Sequence, residues 1–147
     1  MKRTLLLAAL ILGACSKPQP AGKPDILIAT AWARETVAGQ TGTAAYMKIA
    51  NFGQGEDKLL SVSADPPVTA MVHQTSNEAG VSKMRPLSDG LAIPARQSVT
   101  LEPGGTHIMV MGLKAPLKSG DLLKLRLKFE RSGEKPVDAL VTGAEGP

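Results

Sequence analysis

The sequence is short of the residues that many functions require. It has one cysteine in 147 residues, Cys15, so no disulfide can staple the fold. One Trp, one Tyr and two Phe are too few to offer stacking platforms to single-stranded nucleic acid. The longest apolar run, Leu5 to Leu12, falls well short of the roughly 20 residues a helix needs to cross a hydrocarbon core. There are only two histidines, and no paired acids, activated nucleophile or phosphate-cradling loop accompanies them. Ser98, and Ser88 beside Asp89, fit strand-edge and turn positions better than catalytic ones. These absences exclude a nucleic-acid binder and leave no basis for an enzyme.

What is present begins with an export signal. Met1-Lys2-Arg3 precedes the apolar run, and small residues Gly13 and Ala14 lead into Cys15, the layout of a cleavable signal peptide. The sequence Leu12-Gly13-Ala14-Cys15 resembles the lipobox of bacterial lipoproteins, which implies lipidation of Cys15 and a membrane anchor outside the cytoplasm. An ordinary secreted protein with a free thiol is the alternative. Ser16, and not Asp, follows the cysteine, which under the enteric sorting rule favours the outer over the inner membrane. Removing residues 1–14 takes Lys2 and Arg3 with it and lowers the formal charge from +4 to +2. So small a surplus gives no further support to binding of a polyanion. Ser16 to Pro24 contains three prolines and nothing to bury, and reads as an extended tether. The expected organisation is a signal peptide at 1–14, the lipidated cysteine and tether at 15–24, and one folded domain at 25–147.

Within that domain, short apolar runs alternate with turn residues and no helical period is sustained, which predicts an all-β fold, sandwich or barrel. Strands are expected at 26–33, 43–51, 58–64, 68–74, 82–86, 98–101, 107–111, 122–130 and 136–141. The clearest is Leu123-Lys124-Leu125-Arg126-Leu127-Lys128-Phe129, apolar at odd positions and basic at even ones, as a strand with one wet face requires. Lys124, Arg126 and Lys128 would form a solubilising face that could also dock a partner.

The chemistry concentrates in two segments, Met71-Val72-His73 through Met84, and His107-Ile108-Met109-Val110-Met111. Alternation on a strand places Met71 with His73 on one face, and His107 with Met109 and Met111 on one face. Thioether sulfur is soft and neutral, so a mixed His and Met set disfavours calcium, magnesium and manganese and suits copper(I). Zinc would normally draw Cys or carboxylate partners as well. Methionine also escapes the disulfide formation that disables paired thiols outside the cytoplasm. Ten residues separate His73 from Met84, and twenty-two separate Met84 from His107, which is followed by Met109 at the second position.

That spacing resembles the signature His-x10-Met-x21/22-His-x-Met of the periplasmic copper(I) chaperones called PCuAC. Further likeness runs through Gly80-Val81-Ser82-Lys83-Met84-Arg85-Pro86, Gly90 to Ala95, Leu101 to His107, Met109 to Leu113 and Gly120 to Glu130. The resemblance implies a cupredoxin-like, Greek-key β-sandwich in a single domain. It also implies one copper(I) held by His73, Met84, His107 and Met109, and delivery to the binuclear copper centre of cytochrome c oxidase or to another periplasmic copper carrier. A monomer is expected. Ser82 stands where many relatives carry a further Met. Met71 and Met111 would be accessory sulfurs, with Met111 expected only to pack.

Three alternatives compete with this reading. A blue-copper electron-transfer protein would need a Cys thiolate beside two His, and the sequence has none after residue 15. A periplasmic store or resistance protein would use the same ligands to sequester. A structural lipoprotein would carry its His and Met residues incidentally.

Overall fold

The computed structural model describes residues 22–147; the signal segment, Cys15 and most of the tether lie outside the described residues. The chain forms a single all-β domain of the cupredoxin-like sandwich class, with ten strands and, among the described residues, no helix. In chain order they are β1 (Ile26–Arg34), β2 (Gly42–Asn51), β3 (Asp57–Ala64), β4 (Thr69–Glu78), β5 (Val81–Pro86), β6 (Leu91–Ile93), β7 (Ser98–Leu101), β8 (Thr106–Met111), β9 (Leu122–Phe129) and β10 (Gly133–Thr142).

Hydrogen bonding runs without a break in the order β5-β4-β8-β2-β1-β10-β9-β3-β6, with β7 on the second half of β2. Strand β1 joins the two halves of this path, β5-β4-β8-β2 and β10-β9-β3-β6. It pairs antiparallel with β2 and, through Trp32, Ala33 and Arg34, parallel with β10. The change of partner coincides with an irregularity between Ala29 and Trp32, where Thr30 takes a φ of 48°. An unpaired residue there bends the strand and re-aims the second half of β1.

The core is a contiguous cluster that includes Ile49, Leu59, Val72, Ile108, Val110, Leu125, Leu127 and Phe129. Strand β9 shows why these residues make a sheet: Leu123, Leu125, Leu127 and Phe129 are buried, while Lys124 and Lys128 are exposed. Its basic side chains are met across the ladder by acids, Lys124 by Asp138 and Lys128 by Glu134. Arg126 donates to Asp65 at 2.7 Å. Cross-strand register with opposite charges accounts for this face as a solvated surface, and Lys124 and Lys128 stay exposed on it.

Polar groups buried in the fold tie its loops. Asn51, 1 % exposed, accepts from Asp25 N and Gly53 N and donates to Gly55 O and Ile93 O. The loop it holds packs so closely on the incoming chain that a Cβ at Gly55 would collide with the carbonyl of Gly22. Asp57 in turn accepts from the backbone N–H groups of Lys58, Arg131 and Ser132, closing the β9–β10 hairpin onto β3.

The structure adds a strand that the sequence does not predict, β6, and lengthens others, β10 beginning at Gly133 and not at 136. β6 has three residues, too few to show an alternation of its own. β4 and β5 extend toward each other beyond the expected limits, to a tight turn at Ala79 (φ 52°) and Gly80 (φ 80°), a backbone suited to a two-residue hairpin.

Candidate metal centre

The His and Met residues gather on the outer face of the layer formed by β5, β4, β8 and β2. Val72, Ile108 and Val110 point into the core, so alternation turns Met71, His73, His107, Met109 and Met111 outward. The β4–β8 register sets His73 directly opposite His107, Met71 opposite Met109, and Thr69 opposite Met111. Residues directly opposite share a face, with Cβ atoms about 4.5–5.5 Å apart. The four outward residues nearest the middle of this ladder are therefore two imidazoles and two thioethers.

Met84 comes from β5, opposite Thr75, and is a diagonal neighbour of His73 at the roughly 7–8 Å that a long side chain can span. It is 57 % exposed, and every residue of β5 is exposed. Beyond Gln74 the β4–β5 hairpin has no strand of β8 beside it, since that ladder ends at the Gln74–Thr106 pair. Met84 thus rides on a hairpin whose outer half is held by its own ladder and by the contacts of Glu78 with Lys83 and Arg85. Such exposed ion pairs contribute little to stability.

The two histidines are prepared differently. His107 is 6 % exposed, and its Nδ1 lies 3.1 Å from the carbonyl oxygen of Gly105. A carbonyl can only accept, so Nδ1 is the donor, and it is the Nε2 of the neutral imidazole that would offer a lone pair to an ion. The same Gly105 oxygen accepts from the backbone N–H of Thr75 on β4. One peptide group therefore orients the imidazole and pins the neighbouring strand, the support a metal-binding His characteristically has. His73 has neither ring nitrogen bonded to any described residue, although both are shielded from solvent. Buried polar atoms are nearly always paired, so this imidazole is short of one or two partners. Its burial, then the nearness of His107, hold its pKa below the ordinary 6.5, and the ring is neutral at neutral pH.

An aromatic wall, which the sequence did not point to, backs the centre. Tyr46 on β2 lies 6.4 Å from the ring of His107, and Trp32 on β1 lies 4.4 Å from Tyr46. The guanidinium of Arg34 covers the Tyr46 ring at 5.6 Å. Together they leave Tyr46 only 3 % exposed although it is outside the core cluster. The signal available was the presence of Trp32 and Tyr46 on neighbouring strands; their register could not be read from it.

Met111 does not pack as expected, since it is 48 % exposed. Met47 is the core methionine, 2 % exposed on the inner face of β2. Among the described residues no group of three or more His, Cys, Asp or Glu could hold a metal. Any ion at this face would take nitrogen and sulfur, and the donors fit a soft monovalent ion.

Comparison with known proteins gives the fold relatives. The family described as "Putative lipoprotein LpqE-like" matches residues 26–141. A curated protein of Leifsonia xyli subsp. xyli, "Putative lipoprotein Lxx21020", is 32% identical over 98% of this chain and 91% of its own. Among solved structures, the copper-bound PCuAC domain from PmoF2 is similar with a TM-score of 0.65 and 26% identity, over 80% of this chain and 92% of that one. The solution structure of CuI-DR1885 from Deinococcus radiodurans is similar with a TM-score of 0.59 and 28% identity, over 90% and 85% of the two chains. The continuous ten-stranded fold, its outward His and Met face and these likenesses agree: the chain belongs to the LpqE-like lipoprotein family, and its domain is of the PCuAC type.

Proposed function

We propose that this protein is a copper(I) metallochaperone, exported by the signal at 1–14, anchored through lipid on Cys15 and spaced from the membrane by residues 15–24. Its ion is held by His73, Met84, His107 and Met109. It delivers copper to the binuclear centre of cytochrome c oxidase or to another periplasmic carrier. The observation that carries this reading is the facing pair of imidazoles, 6.0 Å between centroids, with the His73 nitrogens lacking partners and Met109 two residues along from His107.

The chemistry is that of a carrier. All four donors are neutral, so binding releases no thiol proton and the ion can leave by stepwise substitution. The oriented His107 and the half-buried His73 supply a fixed base, while exposed Met84 supplies a donor that can come and go. Copper is cargo here, and the protein performs no bond-making on a substrate.

The test is anaerobic copper(I) titration of the domain from Gly22 onward, which contains every residue of the core cluster, against a chromophoric chelator. One equivalent bound competitively, and weakened by replacing each of the four residues, is the expected result. Absence of competitive binding would return the His and Met residues to an incidental role.

A further inference from the structure

Met71 lies beside the proposed centre and outside its ligand set. It faces Met109 across the β4–β8 ladder and shares a face with His73 two residues along. It is 43 % exposed, so it is not core filler. Pairing with β5 stops at His73, and the next backbone bond on that side, from Leu87 N to Val72 O, is the last before the edge opens. There a groove of about 200 Å³ lies between β3 and β4, walled by Leu60, Val62, Ala70, Met71, Pro86 and Leu87. Ser61 and Ser88 also line it, but a serine hydroxyl is a hard donor. Met71 is the one sulfur-bearing residue among the described residues that line the groove, and it is the cross-strand partner of the proposed ligand Met109.

We propose that Met71 is a transit ligand through which the ion passes between this groove and the centre. The inference rests on the carrier reading. In loading, a bond from copper(I) to Sδ of Met71 forms as a bond to the incoming donor breaks. The bonds to Met109, the two histidines and Met84 then form as the remaining bonds to the incoming donor and the bond to Met71 break. Release reverses the order. No electron or proton moves, because the thioether is neutral and the ion remains monovalent throughout. Four donors already satisfy the resting ion, so the fifth acts on the rate of exchange and not on the final state.

Stopped-flow transfer between the domain and a chromophoric copper(I) chelator, run anaerobically in both directions, tests this with M71L and, as control, M111L. Both sites are exposed enough to accept Leu without disturbing the core. The expected result is that M71L slows loading and release by a similar factor of several-fold, leaving their ratio in place, while M111L exchanges as the wild type does. Unchanged rates in M71L overturn the transit role, as does equal slowing in M111L. A loss of equilibrium affinity of about tenfold or more also overturns it, since Met71 would then be a resident ligand. A wild-type domain that binds no ion overturns the carrier reading itself, an outcome distinct from binding with normal exchange in M71L.

Discussion

His73 and His107 face each other directly across β4 and β8, with ring centroids 6.0 Å apart and planes inclined at 73°. Two imidazolium ions would repel at that separation, and burial removes the water that would screen them. The Nδ1 of His107 is held by the Gly105 carbonyl, and the His73 nitrogens are without partners among the described residues. An ion coordinated to both rings would convert an electrostatic liability into bonds.

Replacing either histidine should therefore weaken copper(I) binding most. Loss of a supporting contact behind a ligand commonly costs about 10- to 100-fold in affinity, and loss of the ligand itself should cost no less. Competitive titration of H73A and H107A checks this, and M84L, on its exposed hairpin, should lose less than either. Equal affinity in H107A and wild type would contradict the assignment.

The pH dependence of the metal-free domain has a definite sign. The His73 pKa is lowered in the folded state by burial and by His107, below the ordinary 6.5. A lowered base pKa means that the unfolded chain binds more protons as acid is added. Stability from this group is thus fully present above about 6.5 and declines as pH falls through 6.5 toward the folded value. Thermal unfolding from pH 8 to 5 should show the decline in wild type and a smaller one in H73Q. Bound copper should shift the decline to lower pH.

Asp57 governs a second, more acidic window. Burial by itself would raise its pKa, but the Ser132 side chain and the N–H groups of Arg131, Lys58 and Ser132 outweigh that and hold it below 3.8. Its stabilisation is present above 3.8 and lost as pH falls through the folded value. Removing the acceptor in D57A strands buried donors at a cost of about 1–3 kcal/mol. Urea unfolding at neutral pH measures this, and D57A should flatten the acid limb below pH 4.

Ile108 connects the core to the centre, because it is fully buried and sits between His107 and Met109 on the opposite face of β8. I108A should destabilise the domain by about 2–5 kcal/mol. If the donors depend on a firm backing, copper affinity should also fall although no donor is altered. Retained affinity at temperatures well below the melting point would show that the β4–β8 ladder alone fixes them.

Much of the fold, and the strand faces that carry the proposed donors, is legible in the chain. The alternation of Leu123 to Phe129 specifies β9 with its faces, and the two-residue spacing of His107 and Met109 puts both on one side of a strand. What cannot be read locally is which residue lies opposite which. Pairing between strands depends on the closed path of the whole sheet, so neither the His73–His107 register nor the Tyr46 wall has a local signal. Met111 departs from expectation for the same reason. Its alternation is as expected, but its burial depends on whether anything covers that end of the face, and Thr69 and Gly42, its cross-strand neighbours, are too small to do so. β6 escapes a sequence reading because three residues carry no period.

The Asn51 clamp and the β1 ladders stand where the chain enters the domain. Tension applied from the N-terminal side of Gly22 meets first the bonds of Gly22 with Arg131 and of Lys23 with Gln54 and Gly55, then the side-chain amide of Asn51 and the Phe52–Asp25 backbone bond, then the β1–β2 ladder. None of these elements carries a candidate donor. The donors lie on β4, β5 and β8, mechanically downstream of that load path. A tug at the anchored end would be spent on shearing β1 before it could pull apart the two imidazoles.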